Sequence, residues 1–259
     1  MNEKTFNKAF NYFLFFGMLA CVIVASVINI RTGKTSAGLQ IVVAFGSMMG
    51  ITSTMLAANG NILNFVAGFI GACIETYVFH DNGLMAMFFL YLLYFIPMDV
   101  VGFVQWRKRG ATGKKAVKAQ RMTGRTWAIA AAGYVVVAAA AFGISWAFAD
   151  KAAGVNVAKM TTDALTMSAT IVAIVMMTFA YMEQWYVWTL VNLSSIVLWS
   201  VNLATTPDSA YTVVMLIKYV FYLLNGLNAI RIWLKLSSGE RGPEPSGDEN
   251  PVPGDTLGA

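Results

Sequence analysis

Apolar residues fall along this chain in blocks of about 20, the length at which a helix crosses a hydrocarbon core. Eight such segments can be laid down, at 11–30, 36–58, 62–80, 84–106, 127–149, 163–182, 184–204 and 210–235. Asn59-Gly60 and Asp81-Asn82-Gly83 are short breakers, so the segments they join are antiparallel neighbours. The boundary between the sixth and seventh, at Met182-Glu183, carries neither Gly nor Pro. The pattern predicts an all-α polytopic membrane protein with eight transmembrane helices. Met18-Leu19-Ala20-Cys21 is similar to a lipoprotein cleavage site, but the apolar run continues to Ile30, which predicts an uncleaved anchor helix over 1–30.

Polar residues inside these blocks need a reason. At 100° per residue, Trp185, Trp188, Asn192, Ser195 and Trp199 share one narrow arc of the seventh segment, a stripe about 21 Å long. An amide facing hydrocarbon without a partner costs several kcal/mol, so Asn192 faces protein, water or a ligand. The indoles beside it offer flat faces for stacking. Helix packing with Trp at headgroup level explains the same stripe.

Shifting the chain by 124 residues lays Asn61, Asn64 and Gly68 on Trp185, Trp188 and Asn192, and a shift of 127 lays Trp106 on Trp233. Segments two to four (36–106) then match six to eight (163–235), with the fifth (127–149) as connector. The number of spans between matched segments is even, so the repeats point the same way, and a site is expected near the midplane between them.

Composition changes the picture in one respect. With 58% hydrophobic and 12% charged residues, a soluble domain is excluded. The charges that remain set orientation: residues 107–126 carry eight Lys/Arg and no acid, which predicts a cytoplasmic loop. Both termini then lie inside, with thirteen Lys/Arg on that side against four outside. Pinned between spans, the basic run reads as a topology determinant resting on anionic lipid and not as a nucleic-acid site. Residues 237–259 hold five acids, four Pro and five Gly against one Arg, the composition of a disordered cytoplasmic tail. Cys21, Cys73 and the lone His80 form no metal-site pattern, and no cofactor is expected.

Four ionisable residues lie within or at the ends of spans, where such groups mark a pathway or an internal pair. Glu75 and Lys218 fall on the outer side and are expected to pair with each other. Glu183, at the cytoplasmic end of the seventh helix, either faces water and favours the helix N-terminus or serves a gate. Asp99 is deep in the fourth span, two residues after Pro97, whose missing donor kinks a helix around a cavity. It either accepts a hydrogen bond from a ligand hydroxyl or balances a cationic ring, or pairs with another side chain. Asn225 and Asn228 are amides in the last span, and at least one is expected to face the cavity.

The spacing Trp-x-x-Trp-x-x-x-Asn, here Trp185, Trp188 and Asn192 after Glu183-Gln184, resembles the signature of the PnuC family of bacterial vitamin transporters, whose best-known members carry nicotinamide riboside. Two further stretches are similar to that family, one from Phe95-Ile96-Pro97-Met98-Asp99 to Trp106 and one from Asn59-Gly60-Asn61 through Asn64 to Gly68. The likeness spans residues 46–233 and departs at Gly71 and Asp99, where relatives commonly carry glutamine. It implies a 3+1+3 core similar to the SWEET sugar carriers, with the first helix outside it. It further implies a homotrimer in the bacterial inner membrane, no catalysis, and facilitated diffusion of nicotinamide riboside followed by trapping through a cytoplasmic kinase. The substrate-binding candidates are Trp185, Trp188, Asn192, Asp99, Asn225 and Asn64. Thiamine or another vitamin fits the same chemistry. A retinal photoreceptor would need an acid four residues before Lys218, where Val214 stands.

Overall fold

A computed structural model describes residues 3–32, 37–81, 85–149, 157–205 and 210–239. Along them run α1 (Glu3–Arg31), α2 (Ala37–Ala58), α3 (Leu63–Asp81), α4 (Met85–Leu90), a π turn (Tyr91–Phe95), α5 (Ile96–Lys108), α6 (Gly124–Ala147), α7 (Val157–Thr178), α8 (Gln184–Thr205) and α9 (Ala210–Ser237). The π turn joins α4 to α5 in one rod. Among the described residues, six rods, from α1 through α7, are long and apolar enough to cross a membrane. α8 and α9, at 22 and 28 residues, have the length as well, and both are predominantly apolar in sequence. The chain is therefore an all-α polytopic membrane protein with six to eight apolar helices. The acidic tail beyond Gly239 lies outside the described residues, as do the segments that hold Lys34 and Lys151.

The kink expected at Pro97 is a widened turn just before it. Ile96 donates its N–H five residues back, to the Tyr91 carbonyl. A proline ring clashes with the carbonyl four residues earlier, and an extra residue in the preceding turn carries that carbonyl aside. Tyr94 in this turn donates its hydroxyl to the Ile171 carbonyl at 2.7 Å, tying the rod to α7.

The sixth segment ends earlier than expected. α7 stops at Thr178 and not at Met182, because Ala180 takes a left-handed conformation (φ 57°). A residue with a β-carbon is disfavoured there by about 1–2 kcal/mol, so nothing in the local sequence announces the break. The matching turn after α2 uses Gly60 (φ 67°). The two turns are built alike: Gly60 N–H reaches the Ala57 carbonyl and Asn61 N–H the Leu56 carbonyl, as Ala180 reaches Met177 and Tyr181 reaches Met176. These bonds correspond at a shift of 120 residues, one helical turn from the expected 124. Asn64 is thereby equivalent to Gln184 and Phe65 to Trp185.

The basic segment between α5 and α6 is strapped across both turns. Val117 N–H donates to the Gly60 carbonyl at 2.9 Å and Gln120 N–H to the Ala180 carbonyl at 2.9 Å, while Met182 N–H donates back to Gln120 at 3.0 Å. Its Ala111 and Val117 are buried. A capping box of Thr123 and Thr126 then starts α6, which packs against α7 alone among the described helices.

Above the strap sits a dense core. Trp106 donates its indole N–H to the Met177 carbonyl at 2.8 Å, and Trp233 donates its own to the Ala57 carbonyl at 3.0 Å. The last helix before the strap thus bonds the end of α7, and the last helix of the chain bonds the end of α2. The two indoles lie 5.5 Å apart with Phe65 edge-on to Trp106 at 4.9 Å.

Candidate functional site

The stripe on α8 faces the interior of the bundle. Trp185 is buried edge-on against Trp233, 6.0 Å between ring centroids, and Trp188 packs half-buried on the same core. Asn192 is buried one to two turns further on. Beside it on α9 stands Gly226: a β-carbon there would lie 3.6 Å from Thr189 Oγ1 and 3.9 Å from Asn192 Nδ2. The missing side chain lets α8 and α9 close at the level of Asn192. Ser195 and Thr189 satisfy themselves on the carbonyls of Val191 and Trp185 within the helix.

Asn225, next to Gly226, donates Nδ2 to the Thr54 carbonyl at 3.2 Å. The adjacent Ser53 donates to the Asn64 carbonyl at 2.8 Å, and Asn64 donates Nδ2 to the Asn61 carbonyl at 2.7 Å. α2 thus holds Asn64 of α3 and Asn225 of α9 at one level. One turn beyond Asn64, Gly68 opens room for Asp99: a β-carbon on Gly68 would lie 2.8 Å from the Asp99 carboxylate. No hydrogen bond or ion pair from a described residue reaches that carboxylate, which leaves the expectation of a protein partner for Asp99 without support.

What these residues leave over is as informative as what they bond. Asn64 Oδ1, Asn225 Oδ1, Trp185 Nε1, Thr178 Oγ1 and both amide atoms of Gln184 are buried with no partner among the described residues. A buried polar atom left unpaired destabilises by about 1–3 kcal/mol, and native proteins hold only a few of them. The set contains carbonyl acceptors, N–H donors and a hydroxyl that can do either, so it can receive a ligand bearing both an amide and hydroxyls.

Gln184 was not among the residues that the sequence singles out, although it stands inside the motif. Its signal is the 120-residue equivalence with Asn64, which the 124-residue register hides. Glu183 departs from the expectation of a water-facing carboxylate. It is buried, pairs with Arg121 at 3.1 Å and accepts from Met122 N–H at 3.1 Å, anchoring the strap to the start of α8. Glu75 and Lys218, expected to pair, act on each other electrostatically without a direct ion pair: the Lys218 ammonium lies over the Tyr222 ring, 5.5 Å from its centroid. Asn228 faces away from this group, toward Arg231.

The family profile described as nicotinamide mononucleotide transporter matches residues 40–235. The nicotinamide riboside transporter PnuC of Neisseria mucosa is 34% identical over 194 residues, covering 73% of this chain and 70% of its own length. The protein of the same name from Haemophilus influenzae is 28% identical over 189 residues, covering 72% and 76%. A crystal structure of the vitamin B3 transporter PnuC superposes with a TM-score of 0.65 at 26% identity, covering 88% of this chain and 92% of the other. With a polytopic helical fold, an interior of unpartnered amides beside the Trp-x-x-Trp-x-x-x-Asn stripe, and these likenesses over most of its length, the chain belongs to the PnuC family of nicotinamide riboside transporters and is a transport protein, not an enzyme.

Proposed function

We propose that this chain carries nicotinamide riboside across the bacterial inner membrane by facilitated diffusion, with phosphorylation by a cytoplasmic kinase trapping the product. The observation that carries the reading is the group of buried polar atoms of Asn64, Gln184, Trp185 and Asn225 that have no partner among the described residues. A flat carboxamide ring with a ribose supplies acceptors and donors to such atoms. Trp185, Trp188 and Asn192 stack on and orient it, and Asp99 takes the ribose hydroxyls or balances the cationic ring. All eight rods cross the membrane in this reading. α2 to α5 and α7 to α9 are parallel three-helix units joined by α6, a 3+1+3 plan, and α1 stands outside it. The like-built turns at Gly60 and Ala180 and the crossed indole bonds of Trp106 and Trp233 support that pairing of halves. The transporter works as a homotrimer.

Proteoliposomes holding the purified protein test the mechanism. Labelled nicotinamide riboside should equilibrate across them without accumulating, and an imposed proton or sodium gradient should leave the plateau unchanged. Accumulation that depends on either gradient overturns facilitated diffusion. Binding titrations against a panel that includes thiamine separate the vitamins, and preference for another member of the panel overturns the substrate.

A further inference from the structure

Seven residues are almost two full turns of helix, about 10 Å, and bring a side chain back to within about 20° of its starting direction. Three such steps begin at the tryptophan layer, where Trp106 and Trp185 both lie against Trp233, at 5.5 and 6.0 Å between ring centroids. They lead from Trp106 to Asp99 on α5, from Trp185 to Asn192 on α8 and from Trp233 to Gly226 on α9. α5 and α9 run toward the strap and α8 runs away from it, so the three positions lie on the same side of the layer, at about the same level. Two packed helix pairs reach that level, α3 with α5 and α8 with α9. In the first, a β-carbon on Gly68 would lie 2.8 Å from the Asp99 carboxylate; in the second, one on Gly226 would lie 3.9 Å from Asn192 Nδ2. Each pair therefore sets one polar side chain over a glycine of the neighbouring helix. One presents an amide, the other a carboxylate.

The carboxylate is the group without a counterpart. Of the four ionisable residues within or at the ends of spans, Glu183 pairs with Arg121 at 3.1 Å, and Glu75 and Lys218 act on each other. Among the described residues, no hydrogen bond, ion pair or neighbouring charge acts on Asp99. The unpartnered atoms of Asn64, Gln184, Trp185 and Asn225 are all neutral. Dipoles of this kind hold a ligand by hydrogen bonds whatever its charge, whereas a carboxylate adds an attraction that depends on that charge. We propose that Asp99 sets the charge specificity of this carrier, the cationic ring of the ligand supplying the counter-charge that the protein does not. With nicotinamide riboside as the substrate, on which this role rests, Asp99 serves the ring and not the ribose. The ribose hydroxyls have acceptors in Asn64 Oδ1 and Asn225 Oδ1, and the positive charge has no other partner at this level among the described residues.

The dihydro form of nicotinamide riboside keeps the carboxamide and the ribose but has an uncharged ring, so it isolates the charge. Titration calorimetry on the purified protein should give the cationic form the tighter binding by roughly tenfold or more, because two unit charges in contact in a partly screened interior outweigh one factor of ten in affinity. Asp99→Asn keeps the shape and still accepts from a hydroxyl, but carries no charge. It should lose most of the preference, what is left being the pull of the indole faces on a cation. Asp99→Glu keeps the charge and should keep the cationic form ahead. Equal binding of the two forms by the parent overturns the proposal while nicotinamide riboside stands as the substrate; binding of neither form overturns both. A ratio unchanged in Asp99→Asn overturns it as well and assigns the preference to the indoles. So does a ratio lost equally in both variants, which makes Asp99 a residue of shape and not of charge.

Discussion

Gln184 is the residue whose two roles pull in opposite directions. Its amide is fully buried with neither atom bonded, which destabilises the empty protein by about 1–3 kcal/mol for each lost partner. Gln184→Leu keeps the size and removes both polar atoms. It should raise the melting temperature of the substrate-free protein and weaken nicotinamide riboside binding by tenfold or more, on the order of one buried hydrogen bond or more. A lower melting temperature with normal binding would make Gln184 a packing residue. Base-like stacking on an indole contributes about 1–3 kcal/mol, so Trp188→Ala should weaken binding by roughly 5- to 150-fold. Asn192→Leu should do at least as much, whereas Trp199→Phe, about 10 Å further along the helix, should change little. Titration calorimetry on variants with unchanged size-exclusion profiles gives the comparison. Asn64, Asn192 and Asn225 were readable in sequence because an amide inside an apolar run is conspicuous. Gln184 was not, because it sits at the edge of its segment, where polar residues are ordinary.

At the level of elements, the crossed indole bonds make Trp106 and Trp233 a matched pair. Trp106 holds the end of α7 and Trp233 the end of α2, at 2.8 and 3.0 Å. Trp106→Phe and Trp233→Phe keep an aromatic ring and remove one donor, so each should destabilise by about 1 kcal/mol, and by similar amounts. Thermal unfolding of both in one detergent checks this, and a large effect of one with none of the other would mean that the halves are not equivalent at this level. The helices were legible from hydropathy, with ends within a few residues for most. The early end of α7 has a definite cause. α7 stops at a left-handed alanine held by Gln120, a contact across about 60 residues of sequence that no local pattern encodes. The same missing break hides the 120-residue shift at which the hydrogen bonds of the two turns correspond, one turn away from the 124-residue shift at which aromatic and amide letters line up by type.

For the whole molecule, orientation rests on the basic segment, and both termini are proposed to be cytoplasmic. Protease added outside intact cells should leave a tag after Ala259 uncut, and its removal would put the number of crossings wrong by one. Sequence charge marked this segment as a topology determinant resting on anionic lipid. Its fold was not legible, because main-chain bonds to Gly60 and Ala180 and a carboxylate anchor at Glu183 depend on turns that lie far away in the chain. That strap has a further use. The amide protons of Val117, Gln120 and Met182 are covered only by bonds between the strap and the turns of the two halves. Each exchanges with deuterium when the strap parts from the turns, and is protected while they stay together. In the proposed orientation these amides serve as a built-in clock for opening at the cytoplasmic end, and the change in their exchange on adding substrate is expected to read how far the ligand shifts that equilibrium.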